Sequence, residues 1–285
     1  MSRSVMITGV STGLGRAIAV AALNAGHTVI GTVRRREDAA AFEALSPGQA
    51  HGRLLDLTDG EGLASLAAEL EETLGGIDVL VNNAGYGVEG IFEETPLEVF
   101  RQQFEVNVFG TVAVTKAVLP GMRRRGQGHV IFITSMGGLR AFPGLSAYHG
   151  TKYALEGIAD SLRMELAPLG IKVTSVEPGS FRTEWAGRSM TRVERSISDY
   201  DALIDPVRAA RQAMSGQQIG DPAKAGTAIL TLLDLQDPPG HLLLGADALQ
   251  FVREARDATD REIAEWEQLS EATDFASGKA YTGVR

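Results

Sequence analysis

Short apolar runs alternate along the chain with longer stretches in which apolar residues recur at the helical period. The apolar runs lie at residues 4–7, 28–33, 52–55, 79–81, 130–133, 172–176 and 241–244. The stretches with helical period lie between them, at residues 13–24, 37–45, 61–74, 97–124, 147–167 and 222–233. Continuous apolar runs are typical of parallel strands that are covered on both faces. The alternation therefore predicts an α/β fold, with a doubly wound, mostly parallel sheet of about seven strands and helices on both faces.

Two later segments depart from this alternation. Residues 181–220 mix large apolar side chains with many charges and show no dominant period, so we expect a loop region that covers a substrate. Residues 246–271 are charged and amphipathic and predict one helix, the main part of a C-terminal extension over residues 246–285. Neither a repeat nor a linker interrupts the chain, and we expect residues 1–285 to form a single domain.

The composition narrows the classes of function. Hydrophobic side chains make up 44% of the chain and charged ones 22%, which is an ordinary globular balance. The net charge of -9 argues against nucleic acid and anionic membranes as partners. The chain has no cysteine, which excludes disulfides, thiolate zinc sites and cysteine nucleophiles. No run reaches the about 18 apolar residues of a membrane-spanning helix, so we expect a soluble, cytoplasmic protein.

Metal sites and hydrolase sites have no visible pattern in the sequence. None of the five histidines has metal-ligand spacing, and Glu177 has no visible carboxylate partner for acid–base work. No combination of serine, histidine and aspartate indicates a nucleophilic triad. We therefore expect chemistry that needs no metal ion.

A glycine-rich turn follows the first predicted strand and opens the first predicted helix. Its glycines are Gly9, Gly13 and Gly15, with Ser11, Thr12 and Leu14 among the residues between them. Small residues let the backbone approach a pyrophosphate, and a helix N-terminus offers free N–H groups to it. The spacing differs from the dinucleotide-binding pattern G-x-G-x-x-G, so glycines that serve packing alone are an equal alternative at this point.

A candidate for cofactor selection, Arg34, stands at the end of the second predicted strand. Folds that bind NAD place a carboxylate near this point to hold the ribose 2′-hydroxyl. An arginine can instead bind the 2′-phosphate of NADP through charge-assisted hydrogen bonds. The position predicts a preference for NADP(H) over NAD(H), with a solvated basic cluster balanced by Glu37 and Asp38 as the alternative.

A candidate acid–base pair, Tyr148 and Lys152, lies at the start of a predicted helix. Residues four apart share one helix face, so the phenol and the ammonium point into the same region. A fixed cation stabilises the phenolate and lowers the pKa of the phenol from about 10, which suits it to acid–base catalysis. Ser135 ends the fifth predicted strand, and we expect its hydroxyl to bind a substrate oxygen beside the tyrosine.

All of these features follow the carboxyl ends of predicted strands, where ligands of open α/β sheets bind. They are, in strand order, Gly9, Arg34, Asp56, the stretch Asn82-Asn83-Ala84-Gly85, Ser135 and the step Pro178-Gly179. Packing needs alone would scatter such residues over both edges of the sheet. Their common position therefore favours one ligand site.

In these motifs, from residue 4 to residue 183, the chain resembles the short-chain dehydrogenase/reductase family, whose fold is Rossmann-like. The resemblance implies that Tyr148 is the general acid when a carbonyl is reduced and the base when an alcohol is oxidised. It implies that Lys152 lowers the pKa of the tyrosine and holds the nicotinamide ribose, while Ser135 orients the substrate oxygen. Asn107 would bind a water that links Lys152 to the solvent.

The resemblance also implies the contacts of a bound dinucleotide. The adenine and its ribose would be flanked by Asp56, Leu57, Asn83, Ala84 and Gly85. The carboxamide and the phosphates would meet Pro178, Gly179, Phe181 and Thr183.

The predicted function is an NADP(H)-dependent oxidoreductase that transfers hydride between nicotinamide and a small-molecule carbonyl/secondary-alcohol pair. The alternatives are a non-catalytic dinucleotide-binding sensor or scaffold, and an epimerase or dehydratase on a related fold. Many tetrameric members of the family end soon after the seventh strand, whereas this chain continues. The extension could cap the pocket, build a dimer contact or pack on the surface, so both a homodimer and a homotetramer stay open.

Overall fold

The main sheet of the protein is parallel throughout. The computed structural model describes residues 2–187, 189–275 and 277–278. The strands within these residues are β1 (Ser4–Thr8), β2 (Thr28–Val33), β3 (Ala50–Leu54), β4 (Val79–Asn82), β5 (Gly87–Glu89), β6 (Gly128–Ile133), β7 (Ile171–Pro178), β8 (Met190–Arg192) and β9 (His241–Leu244). Seven of them form the main sheet in the order β3-β2-β1-β4-β6-β7-β9, while β5 and β8 form a separate parallel pair.

Helices connect the strands and cover both faces of the main sheet. They are α1 (Gly13–Asn24), α2 (Arg36–Glu43), α3 (Gly60–Leu74), α4 (Leu97–Phe104), α5 (Thr111–Arg125), α6 (Ser146–Leu166), α7 (Asp201–Ala213), α8 (Pro222–Thr231) and α9 (Ala246–Glu271). The predicted doubly wound α/β fold is therefore confirmed, and all seven predicted strands are present in the main sheet.

Two hydrophobic clusters, one on each face of the sheet, explain why the strand sequences are continuous apolar runs. Along β1, Val5 and Ile7 belong to the cluster under α1 and α8, whereas Met6 belongs to the cluster under α5 and α6. Successive side chains of a strand point to opposite faces, so both sets must be apolar when both faces are covered. The sheet is consequently fixed from both sides, which gives its carboxyl edge a rigid support.

The predicted helix over residues 97–124 is divided in the structure. A π-helical turn, Glu105–Gly110, separates α4 from α5. π-turns are rare and occur frequently at functional sites. This one carries Asn107, which is buried.

The segment 181–220 was expected to lack regular structure, and this expectation is wrong for α7 and β8. The hydrophobic pattern missed α7 because this helix buries only one residue, Ile204, among its described apolar side chains. Its arginines supply further tertiary contacts, since Arg208 and Arg211 reach the buried Glu89 of β5. Ile204 and Val207 do follow the helical spacing, but Pro206 lies between them, and proline is unusual inside a helix.

The predicted C-terminal helix is present as α9. Only its first part packs against the molecule, through the buried Ala248 and Val252. From Thr259 to the end of α9 every residue is exposed. The last part of the predicted extension, residues 279–285, lies outside the described residues. Among the helices of the described segments, none combines the length and the apolar character needed to cross a membrane.

Candidate active site

A cavity of about 1890 Å³ lies at the carboxyl edge of the sheet. It brings together most residues that the sequence analysis selected. Those that line it are Gly9, Ser11, Thr12, Gly13, Leu14, Arg34, Asp56, Leu57, Asn83, Ala84, Gly85, Ser135, Tyr148, Lys152, Pro178, Gly179, Phe181 and Thr183. Two of the selected residues, Gly15 and Asn107, do not line this cavity but pack directly behind its wall.

The glycine-rich turn needs each of its three glycines for a structural reason. Gly9 and Gly13 have φ angles of 75° and 63°, a left-handed conformation that side chains with a Cβ rarely adopt. At Gly15 a Cβ would collide with the carbonyl oxygen of Gly9 and the amide of Asn83. The turn therefore presents bare backbone to the cavity at the N-terminus of α1, the arrangement that receives phosphates in other proteins.

The turn is fastened to the strand beside it by a set of hydrogen bonds. The Asn83 side chain donates to the carbonyl oxygens of Thr8 and Gly9, at 2.9 and 3.0 Å. The Thr8 hydroxyl in turn accepts the backbone N–H groups of Asn83 and Ala84. Asn83 thus holds the shape of the turn through its side chain and lines the cavity next to it.

The candidate acid–base group lies on the first turns of α6. Tyr148 and Lys152 are both buried, at 7% exposure each. The Lys152 ammonium donates to the Ile133 carbonyl oxygen at 2.9 Å and lies 5.8 Å from the centre of the Tyr148 ring. Ser135 lies two residues after the end of β6 and caps a short 3-10 turn by accepting the Gly137 N–H at 2.9 Å.

Burial controls the pKa values of this group. It raises the pKa of Tyr148 to about 12, an effect that the neighbouring Ser135 hydroxyl opposes by hydrogen bonding. Burial also lowers the pKa of Lys152 to about 8, which the Glu156 carboxylate opposes. The Lys152 ammonium is directed at the Ile133 carbonyl oxygen in this arrangement, and burial is the main influence on the pKa of Tyr148. The phenol is consequently protonated at neutral pH.

Asn107 connects three segments behind the cavity. Its side chain accepts the Tyr86 N–H and donates to the Tyr86 carbonyl oxygen, and it also donates to the Thr151 hydroxyl at 3.2 Å. Thr151 lies between Tyr148 and Lys152 on α6. The described contacts of Asn107 therefore hold α6 against the chain after β4, and they do not test the expected water.

The two arginines at the end of β2 have different partners. Arg35 pairs with Asp38 at 2.8 Å and with Glu37 at 3.4 Å. Arg34 lines the cavity, is exposed, and makes no hydrogen bond or ion pair with the described residues. The acidic neighbours that the sequence offered as a balance for the basic cluster are thus engaged by Arg35.

Residues that sequence reasoning missed form an apolar wall next to Tyr148. The Trp185 ring lies 5.0 Å from the Tyr148 ring, and Phe142 contacts Phe251 of α9 at 5.6 Å between ring centres. All four line the cavity. No local spacing links Trp185 and Phe251 to α6, so only the fold could reveal this wall.

A buried acidic pair behind Lys152 corrects a further expectation. Glu177 of β7 and Glu156 of α6 lie together with His241 of β9, and their ligand atoms are within 4.8 Å of one another. His241 Nδ1 is 2.7 Å from Glu177 Oε1 and 3.6 Å from Glu156 Oε2. The expectation that Glu177 has no carboxylate partner is therefore wrong. Burial raises the pKa of Glu156 and, together with the Glu156 charge, raises the pKa of Glu177 to about 7.

A parallel α/β sheet with a glycine-rich turn and a buried Tyr–Lys group at its carboxyl edge defines a class, the nicotinamide-dependent oxidoreductases. The family model for short chain dehydrogenases matches residues 3–193. The chain belongs to this family, and it is an oxidoreductase that acts on alcohol or carbonyl groups.

Two of the similar proteins cover nearly the whole chain, and a third covers about two thirds of it. Oxidoreductase BOA17 of Botryotinia fuckeliana is 37% identical over 96% of this chain and 100% of its own length. An NADPH-dependent 3-dehydrocapnine reductase of Ornithobacterium rhinotracheale is 39% identical over 66% of this chain and 68% of its own. The crystal structure of a short-chain dehydrogenase from Streptomyces avermitilis shares 44% identity and superposes with a TM-score of 0.89, covering 96% of this chain and 100% of that one.

Proposed function

We propose that this protein is an NADP(H)-dependent reductase of carbonyl compounds in which Tyr148 supplies the proton. The observation that carries the proposal is the buried Tyr148 on the cavity wall, with Ser135 and Lys152 beside it and the glycine-rich turn on the same wall. A bound nicotinamide cofactor would supply the hydride or accept it. The protein has to bind and orient the substrate and move one proton.

The protonation state of Tyr148 favours reduction over oxidation. With a pKa of about 12, the phenol holds its proton at neutral pH and can donate it to a substrate oxygen as negative charge develops there. The Ser135 hydroxyl would donate to the same oxygen and orient it. Lys152, a cation at neutral pH with its pKa near 8, would stabilise the phenolate that the proton transfer leaves behind.

The cavity fits a dinucleotide. Bare backbone at Gly9 and Gly13 leaves the N–H groups at the start of α1 open to a pyrophosphate. Asp56 and Leu57 lie at the end of β3, where an adenine would rest, and Pro178 to Thr183 lie after β7, where a nicotinamide would rest. These positions support the contacts that the family resemblance implies.

The preference for NADP(H) over NAD(H) rests on Arg34. This guanidinium lines the cavity and makes no hydrogen bond or close ion pair with the described residues, although it acts by charge on Asp56, so its N–H donors are available to a 2′-phosphate. The similarity to an NADPH-dependent reductase supports the same preference.

The segment 181–220 would form the cover of the substrate site. Trp185 stands over Tyr148, and Val207 and Met214 of the α7 region line the same cavity. These apolar surfaces suit a substrate with an apolar body.

A sensor or scaffold would not need the Ser135–Tyr148–Lys152 group, and the family relationship favours the enzyme.

The test is the Tyr148→Phe variant, assayed by NADPH consumption with a panel of ketones and aldehydes. Loss of the proton donor should lower kcat by about a hundred- to ten-thousandfold, the usual contribution of general acid catalysis. Tyr153→Phe is the matched control, because Tyr153 lies on the same helix but is 45% exposed and does not line this cavity. Turnover by Tyr148→Phe at the rate of Tyr153→Phe would contradict the proposed acid.

A further inference from the structure

A cluster of three arginines around one glutamate lies beside the substrate end of the cavity. The Glu89 side chain, at the end of β5, is 1% exposed. Arg208 Nε is 2.6 Å from Glu89 Oε1, Arg211 Nη1 is 3.4 Å from Oε2, and Arg192 Nε is 3.7 Å from Oε1. We call Glu89, Arg192, Arg208 and Arg211 the Glu89 cluster.

Two arginines of α7 share the Glu89 carboxylate. Arg208 and Arg211 both contact it, and Glu89 is the one acidic group of the described residues that acts on Arg211 by charge. The three arginine side chains are only 17–27% exposed. Partly buried cations that lack a full counter-charge are unfavourable, and an added anion would relieve them.

Arg211 is the member of the cluster that reaches the cavity. It lines the cavity wall, whereas Arg192 and Arg208 do not. Its described hydrogen bonds use two of the five guanidinium N–H groups, one to Glu89 and one to the Pro143 carbonyl oxygen at 2.8 Å. Three donors therefore have no partner among the described residues. Burial also lowers the pKa of Arg211, because the charged form loses solvation there.

The environment of Arg211 links it to the proposed reaction centre. The Pro143 carbonyl that it binds adjoins Phe142, whose N–H donates to His149, the residue after Tyr148. The same wall carries the apolar side chains of Val207 and Met214, one turn before Arg211 and three residues after it. A single cation set in an apolar wall is an orienting contact rather than a solvent-facing charge.

The other arginines of the cavity have different surroundings. Arg34 and Arg35 follow β2, where the adenosine part of a dinucleotide would lie, and Arg101 pairs with Glu98 on the exposed face of α4 at 2.9 Å. Arg211 therefore stands alone at the substrate end of the described cavity wall as an arginine with spare donors.

We propose that Arg211 binds an anionic group of the substrate, a carboxylate or a phosphate, while the carbonyl of the same molecule lies at Tyr148. This inference names the substrate class of the proposed function and rests on it. The planar guanidinium presents paired N–H donors that match the two oxygens of a carboxylate or a phosphate. The substrate is an amphiphilic keto acid or keto phosphate, with an apolar body between its two polar ends.

The kinetic test compares methyl ketones that carry a terminal carboxylate on alkyl chains of increasing length with their methyl esters. In the wild-type protein kcat/KM should be higher for the acid than for the ester at the chain length that spans the cavity. Arg211→Met should lower this acid-to-ester ratio by about tenfold or more, the value of a lost charge-assisted hydrogen bond. Arg211→Lys should keep part of the acid-to-ester ratio, because lysine keeps the positive charge but lacks the paired N–H donors of the guanidinium.

Arg208→Met is the matched control. It removes another partner of Glu89 in the same helix but does not change the cavity wall. It should lower the acid-to-ester ratio much less than Arg211→Met does, because the donors of Arg211 on the cavity wall remain. An unchanged ratio in Arg211→Met, or an equal fall in Arg208→Met, would overturn the proposal and leave Arg211 as a structural cation that holds α7.

A binding experiment separates this proposal from the proposed function. Trp185 lies on the cavity wall, so its fluorescence reports occupancy there, and a Trp266→Phe background removes the exposed tryptophan of α9. Octanoate and octyl phosphate should quench the Trp185 fluorescence at lower concentration than octanol does. Arg211→Met should abolish that difference. The result does not depend on turnover, so it stands or fails separately from Tyr148. Equal binding of the anions and the alcohol would overturn the proposal, and the ranking of the two anions identifies the preferred group.

Discussion

Arg34 and Arg35 are neighbours in the chain with opposite surroundings. Arg35 is held by Asp38 and Glu37, whereas Arg34 lines the cavity and makes no close ion pair with the described residues. A surface ion pair such as that of Arg35 contributes little to stability. At the scale of single residues, the charge available to a cofactor phosphate is therefore that of Arg34.

Arg34→Asp should reverse the cofactor preference. The carboxylate would repel the 2′-phosphate of NADPH and could accept a hydrogen bond from the 2′-hydroxyl of NADH. We expect kcat/KM for NADPH to fall by about ten- to a hundredfold, the value of a charge-assisted hydrogen bond to a phosphate. The measurement is the ratio of kcat/KM for NADPH and NADH. Arg35→Asp makes the same charge change one residue later and should leave the ratio near that of the wild type; an equal effect of both variants would refute the assignment to Arg34.

The junction of β1, α1 and the chain after β4 depends on backbone atoms approaching each other closely. Asn83 joins the loop after β4 to the carbonyls of Thr8 and Gly9, and α1 enters this junction at Gly15. Because the approaching atoms belong to the backbone or to a fixed amide, they cannot move aside for a larger residue. At the scale of elements, Gly15 sets how closely the first helix lies against the sheet edge.

Gly15→Ala should destabilise the protein by about 1–3 kcal/mol, the usual cost of overpacking, and weaken NADPH binding. Gly157→Ala is the control, since Gly157 lies in α6 with no heavy atom within 4 Å of an added Cβ. That variant should stabilise the protein by about 0.5–1 kcal/mol through helix propensity. Urea unfolding gives both values. Similar stabilities for the two variants would show that the junction at Gly15 is loose.

The molecule as a whole contains ionic groups that connect distant parts of the chain. The Glu89 cluster joins β5 to α7, and the pair Glu156–Glu177 with His241 joins α6, β7 and β9. Glu177 is fully buried beside a second carboxylate, and Asp160 faces His241 from the solvent side at 3.2 Å. Deprotonation of Glu177 therefore places a second negative charge in the interior of the fold.

The contribution of Glu177 to the stability of the molecule should fall as pH rises from about 4.5 to about 7, while the buried His129, whose pKa is lowered to about 4, contributes in the opposite direction. Glu177 has a pKa of about 7 in the folded state, against an ordinary value of 4.5 for a glutamate. The folded protein consequently binds more protons than the unfolded chain in this window, and stability present below it is lost as pH passes the folded pKa. The loss should be on the order of 1–3 kcal/mol.

Glu177→Gln keeps an oxygen acceptor for His241 but cannot ionise, so it should remove most of this pH dependence. Its free energy of unfolding should exceed that of the wild type at pH 8 and approach it at pH 5, as measured by urea unfolding. Asp160→Asn is the control, because Asp160 faces the same histidine from the half-exposed side. Equal slopes of stability against pH in the wild type and Glu177→Gln would place the buried charge elsewhere.

The sequence determined the fold class and most of the cavity wall. Strands that are covered on both faces must be apolar throughout, so β1, β2, β4 and β6 could be predicted from their apolar runs. Because the strands are parallel, their carboxyl ends meet at one edge of the sheet. The glycine-rich turn and the Tyr148–Lys152 pair carry their information in local spacing. Residues such as Gly9, Arg34, Ser135 and Tyr148 therefore reached one cavity as expected.

Only the tertiary structure decided the substrate end and the buried ionic groups. Glu89 and Arg208 are 119 residues apart, and Glu177 and His241 are 64 apart, so no local pattern relates them. The helix α7 was not predicted because Pro206 lies inside it and Ile204 is its one buried residue among the described side chains. Local periodicity records which faces are buried against the core, whereas the pKa of Tyr148 and the spare donors of Arg211 depend on which distant groups the fold brings near them.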